Sequence, residues 1–216
     1  MGKIKQGILG GFNGTTGSVV GASWKGIAYM RGKAQSIKNP RTASQQSNRS
    51  VFGAISEFAS KNLALISIGF FQYANKMSAY NAFVQYNKLH DAFYEDGEEP
   101  NVTIAVAPAE LTFARGNGYG VQHAQPTYAN GAVTFSGDSP YSPSTIRCIV
   151  VNPDTLEVAW GNASSVSQGA YTKAINIPSD WTCTKVYCYA FANYQDPATN
   201  LDKVQPSEYL GEVNIA

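Results

Sequence analysis

From residue 101 onward the chain is punctuated every few residues, and this spacing constrains its fold more than any other feature. Strand-forming runs at 102–106, 110–114, 120–128, 132–136, 145–152, 156–160, 170–177, 184–193 and 208–215 are separated by Gly, Pro, Asn, Asp and Ser. Runs this short, bounded by turn residues, suit strands better than helices. Asn130-Gly131, between Tyr128 and Val133, is a type I′ hairpin signal, because both central positions of that turn need positive φ. The 184–193 run is apolar or aromatic on both faces from Val186 to Phe191, which predicts a central strand buried on both sides. Short strands at regular spacing predict a Greek-key, immunoglobulin-like β-sandwich over residues 101–216.

Upstream the pattern is helical. Pro40 biases Asn39 away from the helical region, and Thr42 with Gln45 matches a capping box. A helix is therefore predicted from there to about Ser60, with Val51, Phe52, Ile55, Phe58 and Ala59 on one face. Leu63–Tyr73 reads as a buried helical stretch with a break at Gly69. Ser78 reads as the cap of another helix, whose stripe is Ala79, Ala82, Phe83, Tyr86, His90 and Phe93. Glu95–Pro100 then reads as a solvated acidic linker. Its carboxylates, with Asp91 nearby, do not have the spacing of an EF-hand calcium loop.

Residues 1–38 are broken by Gly7, Gly10, Gly11, Gly14, Gly17, Gly21 and Gly26. Ser18–Arg31 alternates, placing Val20, Ala22, Trp24, Ala28 and Met30 on one side of an expected strand or hairpin. Ordered glycine is entropically costly, and Val20 and Trp24 have no local core. The expectation is an extended arm, able to span on the order of 120 Å, that becomes ordered against a neighbouring subunit. No phosphate-binding loop is present, since Ile27 stands where the motif needs lysine.

Charge is divided unevenly. Residues 1–56 hold Lys3, Lys5, Lys25, Arg31, Lys33, Lys38, Arg41 and Arg49 and no carboxylate, so all 15 acidic residues lie beyond them. A basic head and an acidic body suit a head-to-tail contact between copies. Nucleic acid is the less favoured partner, because the cations are spread singly with few aromatic residues between them. Charged residues make up only 14% of the chain, which suits packing against other protein.

Chemistry is sparsely provided for. Cys148, Cys183 and Cys188 follow no disulfide framework and read as buried free thiols. His90 and His123 lie in separate segments without a motif, and His90 reads as a partly buried structural residue. Gly-x-Ser-x-Gly does not occur. Trp160 and Trp181 read as core residues. No catalytic residue, cofactor or metal is expected, and the chain reads as a non-enzyme. No run of 18 apolar residues exists for a membrane span. The N-terminus lacks the apolar core of a secretory signal, so synthesis in the cytoplasm is expected, with a virion or extracellular assembly as the destination.

Several motifs occur in order along the chain. They are Gly14, Gly17 and Gly21 with Trp24-Lys25-Gly26, then Asn39-Pro40-Arg41-Thr42 with Gln45 and Arg49, and Ser78–Phe83. Val151-Asn152-Pro153, Ile177-Pro178, Tyr189-Ala190-Phe191 and Tyr209-Leu210-Gly211 follow. Together they resemble a domain-of-unknown-function family widespread in Bacteroidetes genomes and their phages. The resemblance implies no catalytic residues, and it favours a virion or filament component as an analogy.

The expected architecture is α+β, mainly β: a Gly-rich basic assembly arm (1–38), a helical segment (39–94), the acidic linker (95–100) and the sandwich (101–216). The expected function is a self-assembling structural subunit of a phage virion, filament or tube. Its partners would be copies of itself and other virion proteins. The candidate assembly residues are Val20, Trp24, Lys25, Arg31, Lys33, Asn39, Arg41 and Thr42. A glycan- or surface-binding sandwich module is the alternative.

Overall fold

The structure is a computed structural model of the chain. It describes all residues except 1–2, 5–9, 25, 37–38, 40, 75–76, 98–101, 142–143, 167–168 and 216. The chain divides into two compact units, Met1–Thr42 and Ala43–Ala216.

The first unit is a four-stranded antiparallel meander of β1 (Lys3–Ile4), β2 (Phe12–Thr16), β3 (Val19–Trp24) and β4 (Ile27–Gly32), in sequence order. The expected extended arm is thus replaced by a sheet folded on itself. The glycines explain why: Gly17 and Gly26, at φ +58° and +84°, stand in the two tight turns, where side chains with a Cβ are strained. Turns that tight bring successive strands back alongside one another.

The second unit begins with α1 (Ala43–Lys61), which starts directly after Thr42, as the Pro40 and Thr42 signals predict. α2 (Leu63–Gly69) stops at the anticipated glycine and passes into a single 3₁₀ turn, Phe71–Tyr73. α3 (Ala79–Leu89) is capped by Ser78, whose Oγ accepts the Asn81 N–H at 3.1 Å. His90 is exposed, against the partly buried position expected, because α3 ends at Leu89. Its ring lies 4.2 Å from that of Tyr86.

The helical segment and the sandwich lie in one compact unit, Ala43–Ala216. β5 (Phe93–Asp96) pairs with β6 (Thr103–Val106) as a hairpin. Of the predicted linker, Glu98–Pro100 lie outside the described residues. The boundary fails for a reason of packing. Phe93 and Val106 are buried in the same core as Phe58 and Phe83 of the helices, so both strands of the hairpin are pinned to the helices.

The remaining strands are β7 (Gln122–His123), β8 (Thr127–Ala129), β9 (Ala132–Ser139), β10 (Ser144–Val151), β11 (Val158–Val166), β12 (Gly169–Asn176), β13 (Lys185–Gln195), β14 (Asp202–Val204) and β15 (Glu208–Asn214). Asn130 and Gly131, at φ +53° and +77°, make the predicted turn between β8 and β9. One sheet runs β11-β10-β13, with β14 and β15 both on the far side of β13. The other runs β12-β9, with β7 and β8 both along β9. The two sheets enclose Val133, Phe135, Ile146, Cys148, Val150, Tyr171, Ile175 and Cys188. The fold is α+β and mainly β.

The larger sheet is buried on both faces. Ile149, Val151, Tyr189 and Phe191 turn away from the sandwich interior into the core that the helices form. This accounts for the unbroken apolar character of β13. It also makes the helices a third layer over the sandwich, not a separate segment.

The expected strand at 110–114 is absent. Leu111, Phe113 and Ala114 are buried, but side chains satisfy their backbone. Ser207 Oγ accepts the N–H groups of Phe113 and Ala114 at 2.9 and 3.3 Å, and Asn87 Oδ1 accepts that of Thr112 at 2.9 Å. Buried backbone needs partners, and here side chains distant in sequence replace a ladder.

Candidate functional site

The N-terminal sheet carries the predicted assembly residues, and its register decides how they are presented. Two-residue turns set Thr16 opposite Val19 and Trp24 opposite Ile27. Directly opposed residues share a face. One face therefore carries Val20, Ala22, Ile27, Tyr29 and Arg31. Ala28 and Met30, expected beside Trp24, are on the other face. Alternation read straight through a two-residue turn slips by one, and a slip of one exchanges faces.

Val20 is half-buried and opposes Arg31. Arg31 and Lys33 are exposed, and the Lys33 N–H closes the sheet on Ser18 O at 2.7 Å. Asn39, Arg41 and Thr42 are exposed in the segment before α1. Lys25 and the Trp24 side chain lie outside the described residues. Among the described residues of this unit only Gly21 is buried, with Phe12 over it. Every residue of β4 is exposed, Ile27 at 66% and Met30 at 70%.

Elsewhere the chemistry is quiet. All three cysteines are buried and unpaired. Burial pushes the Cys148 and Cys188 thiols up to about 12, so neither is a thiolate near neutral pH. No group of three or more His, Cys, Asp or Glu suited to a metal occurs among the described residues. No single helix among them is long and apolar enough to cross a membrane. Arg115 lies between the rings of Tyr73 and Tyr86, at 4.4 and 4.5 Å. Trp160, expected in the core, is 38% exposed on β11. Trp181 is half-buried against the sandwich core.

The second histidine is structural. His123 Nδ1 is hydrogen-bonded to the Tyr171 hydroxyl, and its Nε2 is buried with no partner among the described residues. Burial lowers the imidazole pKa to about 4, below its unfolded value of about 6.5. The folded state therefore holds it neutral while the unfolded state takes up a proton. Stability should fall as pH drops from about 6.5 toward 4, with on the order of 2 kcal/mol lost by pH 5. His123→Gln should flatten that slope in urea melts at several pH values; an unchanged slope would remove His123 as its source.

A family described as one of unknown function, DUF6266, matches residues 11–211. The chain belongs to this family. The DUF6266 match begins inside the N-terminal sheet and ends in β15, so both units are part of what the family shares. No curated protein and no solved structure matches the chain.

Proposed function

We propose that this DUF6266 chain is a non-enzymatic structural subunit that self-assembles through its N-terminal unit. One observation carries the reading: the four-stranded sheet buries only Gly21 among its described residues and leaves Ile27, Tyr29 and Met30 exposed. A sheet needs a second layer to bury its apolar groups. The unit contains no carboxylate, whereas the body holds them all. A neighbour's acidic body therefore supplies both cover and counter-charge. The virion, filament or tube setting is supported by the family resemblance to phage-encoded proteins.

Light scattering on the full chain should give a mass well above 23.2 kDa. Ile27→Asp with Tyr29→Asp should return it toward the monomer. Rising salt should weaken assembly, because exposed pairs are screened beyond about 8 Å at physiological ionic strength. A full chain that stays monomeric at every concentration would overturn the proposal. The exposed Trp160 favours a second reading, a glycan- or surface-binding module. Quenching of tryptophan fluorescence by oligosaccharides, lost in Trp160→Ala, is its test.

A further inference from the structure

A groove of about 450 Å³ runs along β6. One wall is the four consecutive residues Thr103–Val106; the other includes Asp154 and Cys183–Lys185. The hairpin has only two strands among the described residues, so β6 has one edge without a described strand partner. Its orientation follows from the ladder. The Ala107 N–H donates to Ala92 O at 2.9 Å, and antiparallel pairs alternate between bonded and non-bonded. Thr103 and Ala105 therefore bond to β5, while the N–H and C=O of Ile104 and Val106 point outward along the groove. An unpaired edge beside a groove is a template for an added strand.

The charge of the groove selects the strand. Asp96 and Asp154 are exposed along it, and Lys185, the one cation among the described residues that line it, is held by Glu212 at 2.9 Å. The segment 33–42 carries Lys33, Lys38 and Arg41 and no carboxylate. Its described residues lie in no strand and are exposed. Residues 19–24 and 27–32 are already paired with each other, so the stretch 18–31 is not the donor. Pro40 lacks an N–H and ends any ladder before it.

We propose that residues 34–39 of a second copy add to the outer edge of β6, with Lys33 and Arg41, on either side of that strand, near Asp154 and Asp96. This rests on the self-assembly reading and names its contact. It gives the Asn39–Thr42 motif a role, as the point where the added strand stops and α1 begins.

A charge swap on the full chain tests it, read by sedimentation at low salt. Asp96→Lys with Asp154→Lys should weaken association about tenfold or more, as should Lys33→Glu with Arg41→Glu. Mixing the two variants should restore it. Separately, in a Cys183→Ser background, Gln35→Cys on one tagged copy should form a disulfide with Thr103→Cys on a differently tagged copy. If the chain associates but neither swap nor cross-link responds, the groove is not the contact, although self-assembly stands. A disulfide that forms only within a chain carrying both cysteines overturns exchange between copies. A parent chain that never associates overturns the self-assembly reading itself.

Discussion

Gly69→Val should abolish soluble expression of the body or lower its melting temperature by about 10 °C or more. A Cβ at Gly69 would stand 2.1 Å from Phe113 O and 2.9 Å from Ala114 Cα. Both obstacles are backbone, so no rotamer change relieves them. The two segments are also tied directly, since the Arg115 N–H donates to Gly69 O at 2.9 Å. Separating them would pull Phe113 out of its contacts with Phe58 and Tyr189, at ring distances of 5.8 and 5.1 Å. Overpacking against fixed backbone costs about 3 kcal/mol or more. Gly53, exposed on α1 with nothing near its absent Cβ, is the control: Gly53→Ala should be neutral or slightly stabilising. Equal melting temperatures for the two variants would refute the close approach of α2 to the 111–115 stretch.

Asn87→Leu is expected to cost about 2–4 kcal/mol. Asn87 is fully buried on α3. Its Nδ2 donates to Thr112 O at 3.1 Å, and its Oδ1 accepts the Thr112 N–H at 2.9 Å. Leucine would fill similar space and leave both backbone groups of Thr112 unpaired. The cost is therefore in polar satisfaction, not volume. In a domain of this size the melting temperature should fall by about 4–16 °C. Urea denaturation should show a lower midpoint with an unchanged slope, since the surface exposed on unfolding stays the same. A midpoint equal to that of the parent would show that water replaces Asn87 at no cost.

These two residues show why part of the fold was not legible beforehand. In sequence, Asn87 interrupts an apolar stripe, and Gly69 is only a break in an apolar run. Their partners lie 25 or more residues away, on a stretch whose composition resembles a strand. Strand propensity at 110–114 expresses burial, and the same residues are buried as irregular chain wherever side chains supply the hydrogen bonds. The acidic hairpin misleads in the same way. Carboxylates next to a proline signal exposure, and Asp96 and Gly97 are exposed, but exposure does not distinguish a linker from a turn.

The candidate assembly surface was partly legible. Its basic charge, its glycines and the shared face of Val20 and Ala22 follow from sequence, whereas Arg31 reaches that face only through the turn register. That Ile27 and Tyr29 join that face depends on turn length, which the glycines permit but do not specify. The outward edge of β6 had no sequence signal, because any short strand reads alike whether its edge is paired or free.

What the sequence by itself determined is local: where α1 begins after Pro40 and Thr42, the Asn130-Gly131 turn, the Ser78 cap and the double-sided burial of β13. Each depends on φ preferences or side-chain periodicity within a few residues. Tertiary structure alone decided which strands became neighbours. It turned the arm into a sheet, laid the helices over the sandwich and left one edge of β6 open. Strand pairing is a contest among distant segments for the same backbone partners, and its outcome depends on what the rest of the chain has already buried.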